Sequence, residues 1–354
     1  METDLSWRTE EFRGIVAEFF PVEDIWYDGG RPAFAIRTGP DSRRRFLGLR
    51  ERLEPMNYLP LLRRRNGRVI VALVPRPPRG EWRWQVNALL FVATLATTFF
   101  AGYVSAEALV EAGFLTSAVG GGLAFSLSLM AILVCHEMGH KIVSIVRRID
   151  ASLPYFIPMV PPIGTMGAVI VTKTPAPNRD ALMDLGASGP IAGFLVAIPI
   201  IAFGISKSFV LSPAATLRGT VPVPDPLLVT LLSRLLLGDA DTSTLLMHPM
   251  LFAGWIGLLV TSINLLPGSM LDGGHAVRAL FGSRIHMILS WVAVGLAVFL
   301  GYWPMALLIL LMLRRGHPGP LDDVSPLSPL RIATGVILLA IFILSAVRFP
   351  LFGF

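Results

Sequence analysis

The chain has 354 residues, 53% of them hydrophobic and 15% charged, with a formal net charge of +6. Its apolar residues gather into runs of bilayer-spanning length, which predicts a polytopic α-helical membrane protein. Arginines and lysines fall in a terminal domain and at the ends of those runs, so the charge fits membrane topology and excludes a basic, aromatic-studded nucleic-acid surface.

Residues 1–12 carry neither the basic n-region nor the apolar h-region of a signal peptide and are too acidic for an organelle transit peptide, so the first transmembrane helix is expected to serve as the insertion signal. Residues 1–80 mix charge with short apolar patterns and read as a small soluble α+β domain. A helix is expected over 9–20, two strands around Asp28-Gly29-Gly30 over 22–38, an amphipathic helix over 42–56 and a closing strand over 67–75. The Pro/Arg-rich stretch 75–80 is the linker into a membrane domain spanning 81–354.

About six transmembrane regions follow, at 84–105, 119–147, 185–206, 249–267, 286–313 and 330–348, each judged against the ~20 residues that a spanning helix needs. Gly301, Trp303 and Pro304 interrupt the fifth, which is either one bent helix or a pair of short ones. Arg76, Arg79 and Arg83 precede the first region, Arg147 and Arg148 follow the second, and Arg278 and Arg284 follow the fourth. That places those ends and the N-terminal domain in the cytoplasm. On this orientation Arg314 and Arg315 are cytoplasmic only if the fifth region is a hairpin. Between the second and third regions, 149–184 is apolar but holds six prolines. It cannot be a regular helix, and 164–173 alternates like a strand, so a re-entrant β element packed against the preceding helix is expected.

The chemistry lies in "HEMGH", 136–140. Four residues apart on a helix, His136 and His140 present ring nitrogens to one ion, and Glu137, one step round the helix, can reach a water on that ion without competing as a ligand. At this composition, fewer than roughly 0.01 such matches are expected by chance, and ionisable groups within a membrane are functional by default. A third ligand is expected from another helix. Asp272 qualifies, because Pro267 and Gly268 break the fourth region and turn the chain inward; a turn or capping role for Asp272 is the plainer alternative. Asn264 is an amide donor suited to polarising a carbonyl, or else a helix-helix partner. His275 competes with Asp272 for the ligand position, whereas His248, His286 and His317 fall at helix ends or in loops. The lone Cys135 leaves no intrachain disulfide, and it packs as a small apolar side chain. Gly139 is expected to leave the helix surface open beside the site. Gly186, Gly189 and Gly193 form a close-packing face that could seat the third region against the metal-bearing helix.

These residues resemble the site-2 protease family of intramembrane zinc metalloproteases. HEMGH matches its HExxH, "NLLPGSMLDGG" (264–274) its second motif, and "GPIAGF" (189–194) the start of its third core helix, over a core of about 119–282. The resemblance implies one zinc ion held by His136, His140 and Asp272, Glu137 as catalytic base, Asn264 holding substrate or oxyanion, and a re-entrant β element near the substrate path. It implies cleavage in or near transmembrane segments of membrane-anchored proteins, within the lipid bilayer. The 207–248 loop is too short for a PDZ domain and no tail for paired CBS modules follows, which is most similar to the archaeal and chloroplast branch. A prokaryotic (archaeal or bacterial) cell membrane is the expected location, and a homo-oligomer stays open. A membrane zinc carrier would not need Glu137, a CAAX-type peptidase would need a Glu as third ligand, and an inactive scaffold would not need all four chemical residues.

Overall fold

The computed structural model describes residues 2–28, 31–78, 83–210, 223–238, 245–314 and 316–347. The N-terminal part opens with helix α1 (Glu2–Ala17), followed by strands β1 (Val22–Asp28) and β2 (Arg31–Ile36), helix α2 (Ser42–Leu53), and strands β3 (Tyr58–Arg65) and β4 (Arg68–Pro75). The strands form one antiparallel sheet in the order β1-β2-β4-β3. Asp28 pairs with Arg31 as the expected turn requires, although Gly29 and Gly30 themselves lie outside the described residues. Strand β3 is not expected from the sequence, because Pro60 and three consecutive arginines mask it. Its turn was nevertheless written there: Asn66 and Gly67 both take positive φ (49° and 78°), the two-residue geometry that matches the twist of a hairpin. Phe34, Phe46, Leu49, Leu53 and Leu62 are fully buried between sheet and helices, and Leu321, far along the chain, joins this core.

Four described helices are long and apolar enough to cross a membrane: α3 (Trp84–Glu111), α4 (Ala118–Val146), α5 (Arg179–Lys207) and α8 (Asp272–Phe299). The expected fourth and sixth regions correspond to shorter apolar helices, α7 (Pro249–Asn264) and α10 (Pro329–Ser345). Helix α6 (Leu227–Leu237) lies in a stretch given no element in advance. The fifth region is a hairpin. Helix α8 kinks at Gly282 (φ 80°) and ends before Gly301 (φ 83°), and α9 (Trp303–Leu313) runs back along it. Ala293 of α8 and Ile309 of α9, eight residues before and after Gly301, both approach Gly268.

Between α4 and α5, β5 (Tyr155–Pro158) and β6 (Thr165–Val169) pair antiparallel. The hairpin lies along α3. Asn87 Nδ2 donates to the carbonyls of Leu153 and Pro154 at its base, and Thr97 Oγ1 donates to Gly164 O near its tip. Ten residues of helix separate these anchors, ~15 Å along the axis. Helix α5 is central to the remaining core, where Met183, Ala197 and Ile201 pack with Ile132 of α4, Leu251 and Leu258 of α7, and Ala276 of α8.

Candidate metal centre

Helix α4 starts at Ser117, whose hydroxyl accepts a hydrogen bond from Gly120 N, and continues unbroken to Val146. His136 and His140 lie ten and six residues before that end, ~15 and ~9 Å inside it. Both are buried, as is Glu137 between them. His140 Nδ1 lies 2.8 Å from Leu185 O of α5. A carbonyl can only accept, so Nδ1 carries the proton and Nε2 is left with a free lone pair.

Asp272 is the first residue of α8, and the chain reaches it through a tight bend over 265–271. Two glycines make the bend fit. A Cβ on Gly273 would stand 2.2 Å from Leu265 O, and one on Gly274 would stand 2.4 Å from Ser269 O. Ser269, itself at φ 52°, is held from both sides: its N–H donates to Ser290 Oγ (3.0 Å) and its carbonyl accepts from His286 Nε2 (3.0 Å).

The three side chains meet. His136 Nε2 is 3.2 Å from Asp272 Oδ2, His140 Nε2 is 3.3 Å from the same oxygen, and the two Nε2 atoms are 3.2 Å apart. A tetrahedral ion bound at ~2.0–2.1 Å holds its donors ~3.3–3.4 Å from one another. The triangle therefore has the edge lengths of such a site, and its atoms form a three-donor group able to hold one metal ion. The local charge balance agrees, since Asp272 and Glu137 bring two carboxylates into an apolar interior where a divalent cation compensates them. Asn264, the last residue of α7, reaches the same place, with Nδ2 3.4 Å from His136 Nε2.

Helix α5 seats the donor side chains through its small residues. A Cβ on Gly189 would stand 2.0 Å from His140 Nε2, and one on Gly193 3.2 Å from His136 Cβ. Gly186 admits α8, since its Cβ would meet Asp272 O at 2.6 Å. Gly139 corrects an expectation: it does not open a surface beside the site but receives the α5 backbone, with Ser188 O 2.5 Å from where a Cβ would be. His275 stands outside the donor group. Its Nδ1 is 2.8 Å from His317 Nε2, while His317 Nδ1 accepts from Gly319 N (2.9 Å). The backbone carbonyl of Leu185 and the brace of Ser269 by His286 and Ser290 have no counterpart in any sequence motif. The pairing of His275 with His317 joins residues 42 apart and is equally unmarked.

The model of peptidase family M50 matches residues 124–310, more than half of the chain, a region that includes His136, Glu137, His140, Asn264 and Asp272. Among relatives, the probable zinc metalloprotease EGY1, chloroplastic, of Arabidopsis thaliana is 29% identical over 297 residues, covering 76% of this chain and 54% of that protein. The probable zinc metalloprotease EGY2, chloroplastic, of Oryza sativa subsp. indica is 31% identical over 243 residues, covering 65% of this chain and 43% of that protein. The DDT domain-containing protein PTM of Arabidopsis thaliana shares 34% identity over 155 residues, only 9% of its own length. The chain thus spans about half the length of the metalloproteases it matches. No solved structure matches. With the HExxH helix, the Asn-to-Asp motif and the intervening helix all inside the matched region, the chain belongs to peptidase family M50, the site-2 proteases.

Proposed function

We propose that the chain is an intramembrane zinc metalloprotease that hydrolyses peptide bonds in or near transmembrane segments of membrane-anchored proteins. The observation that carries this is the 3.2–3.3 Å triangle of His136, His140 and Asp272 with Glu137 buried on the same helix. His136, His140 and Asp272 would hold the zinc, which would supply a Lewis acid and an acidified water at neutral pH. Glu137 accepts at a carboxylate oxygen the proton released as water attacks the scissile carbonyl, and returns it to the leaving amine. Asn264 offers its Nδ2–H groups to the carbonyl oxygen as negative charge develops there. The Leu185 carbonyl fixes the ring of His140 so that Nε2 stays available.

Residues 1–80 form a soluble unit outside the bilayer and 81–354 the membrane domain. Arg83, Arg147, Arg148 and Arg284 support an orientation with the N-terminal unit on the cytoplasmic side, and a prokaryotic cell membrane is the proposed location. The β5–β6 hairpin enters the membrane beside α3. Its anchorage from Asn87 to Thr97, half-way along α3, supports that reading.

The test is cleavage of a single-pass substrate by the purified chain in lipid bilayers, with bound zinc assayed alongside. Wild type is expected to cut within the apolar segment, and Glu137→Gln to keep zinc and lose cleavage. Zinc-loaded E137Q that cuts as fast as wild type would sink the assignment of Glu137. Zinc transport with no cleavage by either protein would favour a carrier.

A further inference from the structure

Helix α8 is built as two pieces. Gly282, at φ 80° and ψ −173°, adopts a backbone region essentially closed to any residue but glycine, and it ends the first piece, 272–281. On the other side, the bend over 265–271 separates the same piece from α7. The block that begins with Asp272 therefore hangs between two breaks in the helical ladder, and no continuous helix fixes its direction. Its neighbours must do so.

Arg179 is placed for this. It is the first residue of α5, half-buried, and follows Asn178, whose Oδ1 accepts from Ala181 N and caps that helix. Its Nε donates to Ala279 O (2.7 Å) and its Nη2 to Leu280 O (2.8 Å). In an unbroken helix those carbonyls would accept from the amides of residues 283 and 284, which here lie beyond the break. The guanidinium supplies two donors in one fork and sets a positive charge at the negative end of the block. Both hydrogen bonds that Arg179 makes among the described residues go to this block.

The spacing ties this cap to Asp272. At the other end of the block, α5 comes so close that a Cβ on Gly186 would stand 2.6 Å from Asp272 O and 2.9 Å from His275 Cβ. Residues 179 and 186 are as far apart on α5 as 279 and 272 are on α8, ~10.5 Å along each axis. The block is thus held at both ends by one antiparallel helix, the same helix whose Gly189 and Gly193 receive His140 and His136. Arg278, with its bidentate pair to Asp323, adds a third hold from outside α5. We infer that Arg179 is a positioning residue of the metal centre: by closing the last carbonyls of the 272–281 block, it holds Asp272 at its corner of the donor triangle. The inference rests on reading that triangle as the metal site.

Cobalt(II) titration of the full chain, stripped of metal in lipid nanodiscs, tests this, because visible absorption is strong for a four-coordinate ion and weak once extra waters enter. Wild type should bind one ion with strong absorption. Arg179→Met should bind it ~10–100-fold more weakly, the usual cost of losing a ligand's support, and absorb less per bound ion. Arg179→Lys keeps the charge but cannot fork to both carbonyls, so it should fall between the two. Arg43→Met removes the partner of Asp180 in the same turn of α5 without touching α8, and should match wild type. Equal affinity and absorption in wild type and Arg179→Met would overturn the positioning role; equal weakening by Arg43→Met would overturn it too, as a general loosening of the start of α5. Wild type that takes up no cobalt would instead refute the metal reading beneath it. Amide hydrogen exchange over 272–281 in the metal-free proteins makes the comparison without the ion: faster exchange in Arg179→Met is expected, and an unchanged rate would refute the cap itself. Should Arg179→Met not fold, Arg179→Lys carries the same expectations at smaller size.

Discussion

At the scale of single residues, the metal centre depends on an atom that is missing. Gly189 has no Cβ, and one placed there would lie 2.0 Å from His140 Nε2, one corner of the donor triangle. Gly189→Ala is expected to lower zinc affinity by ~10–100-fold, the usual cost of disturbing a ligand's orientation. Gly193→Ala, with its nearest contact at 3.2 Å, should cost much less. Zinc content of the two purified variants after dialysis checks the order; equal retention would refute it. Asn264→Ala should retain zinc, because the donor triangle is complete without it, and lower kcat by ~10²-fold if its amide serves the developing oxyanion. The donor group of His136, His140 and Asp272 was legible in advance because coordination chemistry dictates residue type and helical spacing. His140's partner was not, because a backbone carbonyl carries no sequence mark.

At the scale of elements, the bend before α8 positions Asp272, and hydrogen bonds to α3 hold the β5–β6 hairpin. Gly273→Ala would force Cβ against Leu265 O at 2.2 Å and open the bend that presents Asp272. Loss of zinc with α4 intact is expected, read as a metal-free protein of unchanged helical circular dichroism. The Leu-Asp-Gly-Gly order disclosed a turn, but only the packing shows that both glycines are required by carbonyls of the same bend. Asn87→Ala removes two hydrogen bonds to the base of the β5–β6 hairpin. The cost should be about 1–3 kcal/mol, toward the low end, because Asn87 Oδ1 is already unpartnered and its removal relieves a buried acceptor. Faster proteolysis between residues 153 and 172 would register the loosened hairpin; an unchanged rate would mean that other contacts hold it. The hairpin itself was only half legible: the alternation in 164–173 marked β6, whereas β5 lies in a proline-rich stretch without a strand pattern.

At the scale of the whole molecule, the 317–325 loop joins parts that are distant in sequence. Leu62 N donates to Leu321 O and Asp323 N to Leu62 O, so the loop extends the N-terminal sheet at the β3 edge. The same loop reaches the segment just before α5, where Leu321 N donates to Ala176 O, and α8, where Asp323 takes both Arg278 nitrogens at 2.9 and 2.7 Å. Nothing in the local pattern of these residues announced this, because the partners are backbone edges and a charge 45 positions away. His317 lies at the start of the loop, where burial foremost, and then His275, His286 and Arg278, hold its pKa well below the ordinary imidazole value. A histidine that is harder to protonate when folded contributes stability that is fully present above its unfolded pKa of ~6.5 and is lost as pH falls below that value. Wild type should therefore lose thermal stability between about pH 6.5 and 5 more steeply than His317→Gln, which has nothing to protonate there. The other ionisable groups are present in both proteins, so the difference between the two slopes reports His317 together with His275 and His286, whose rings it touches. Parallel slopes would mean that the junction of sheet, α5 and α8 does not sense acid through this residue.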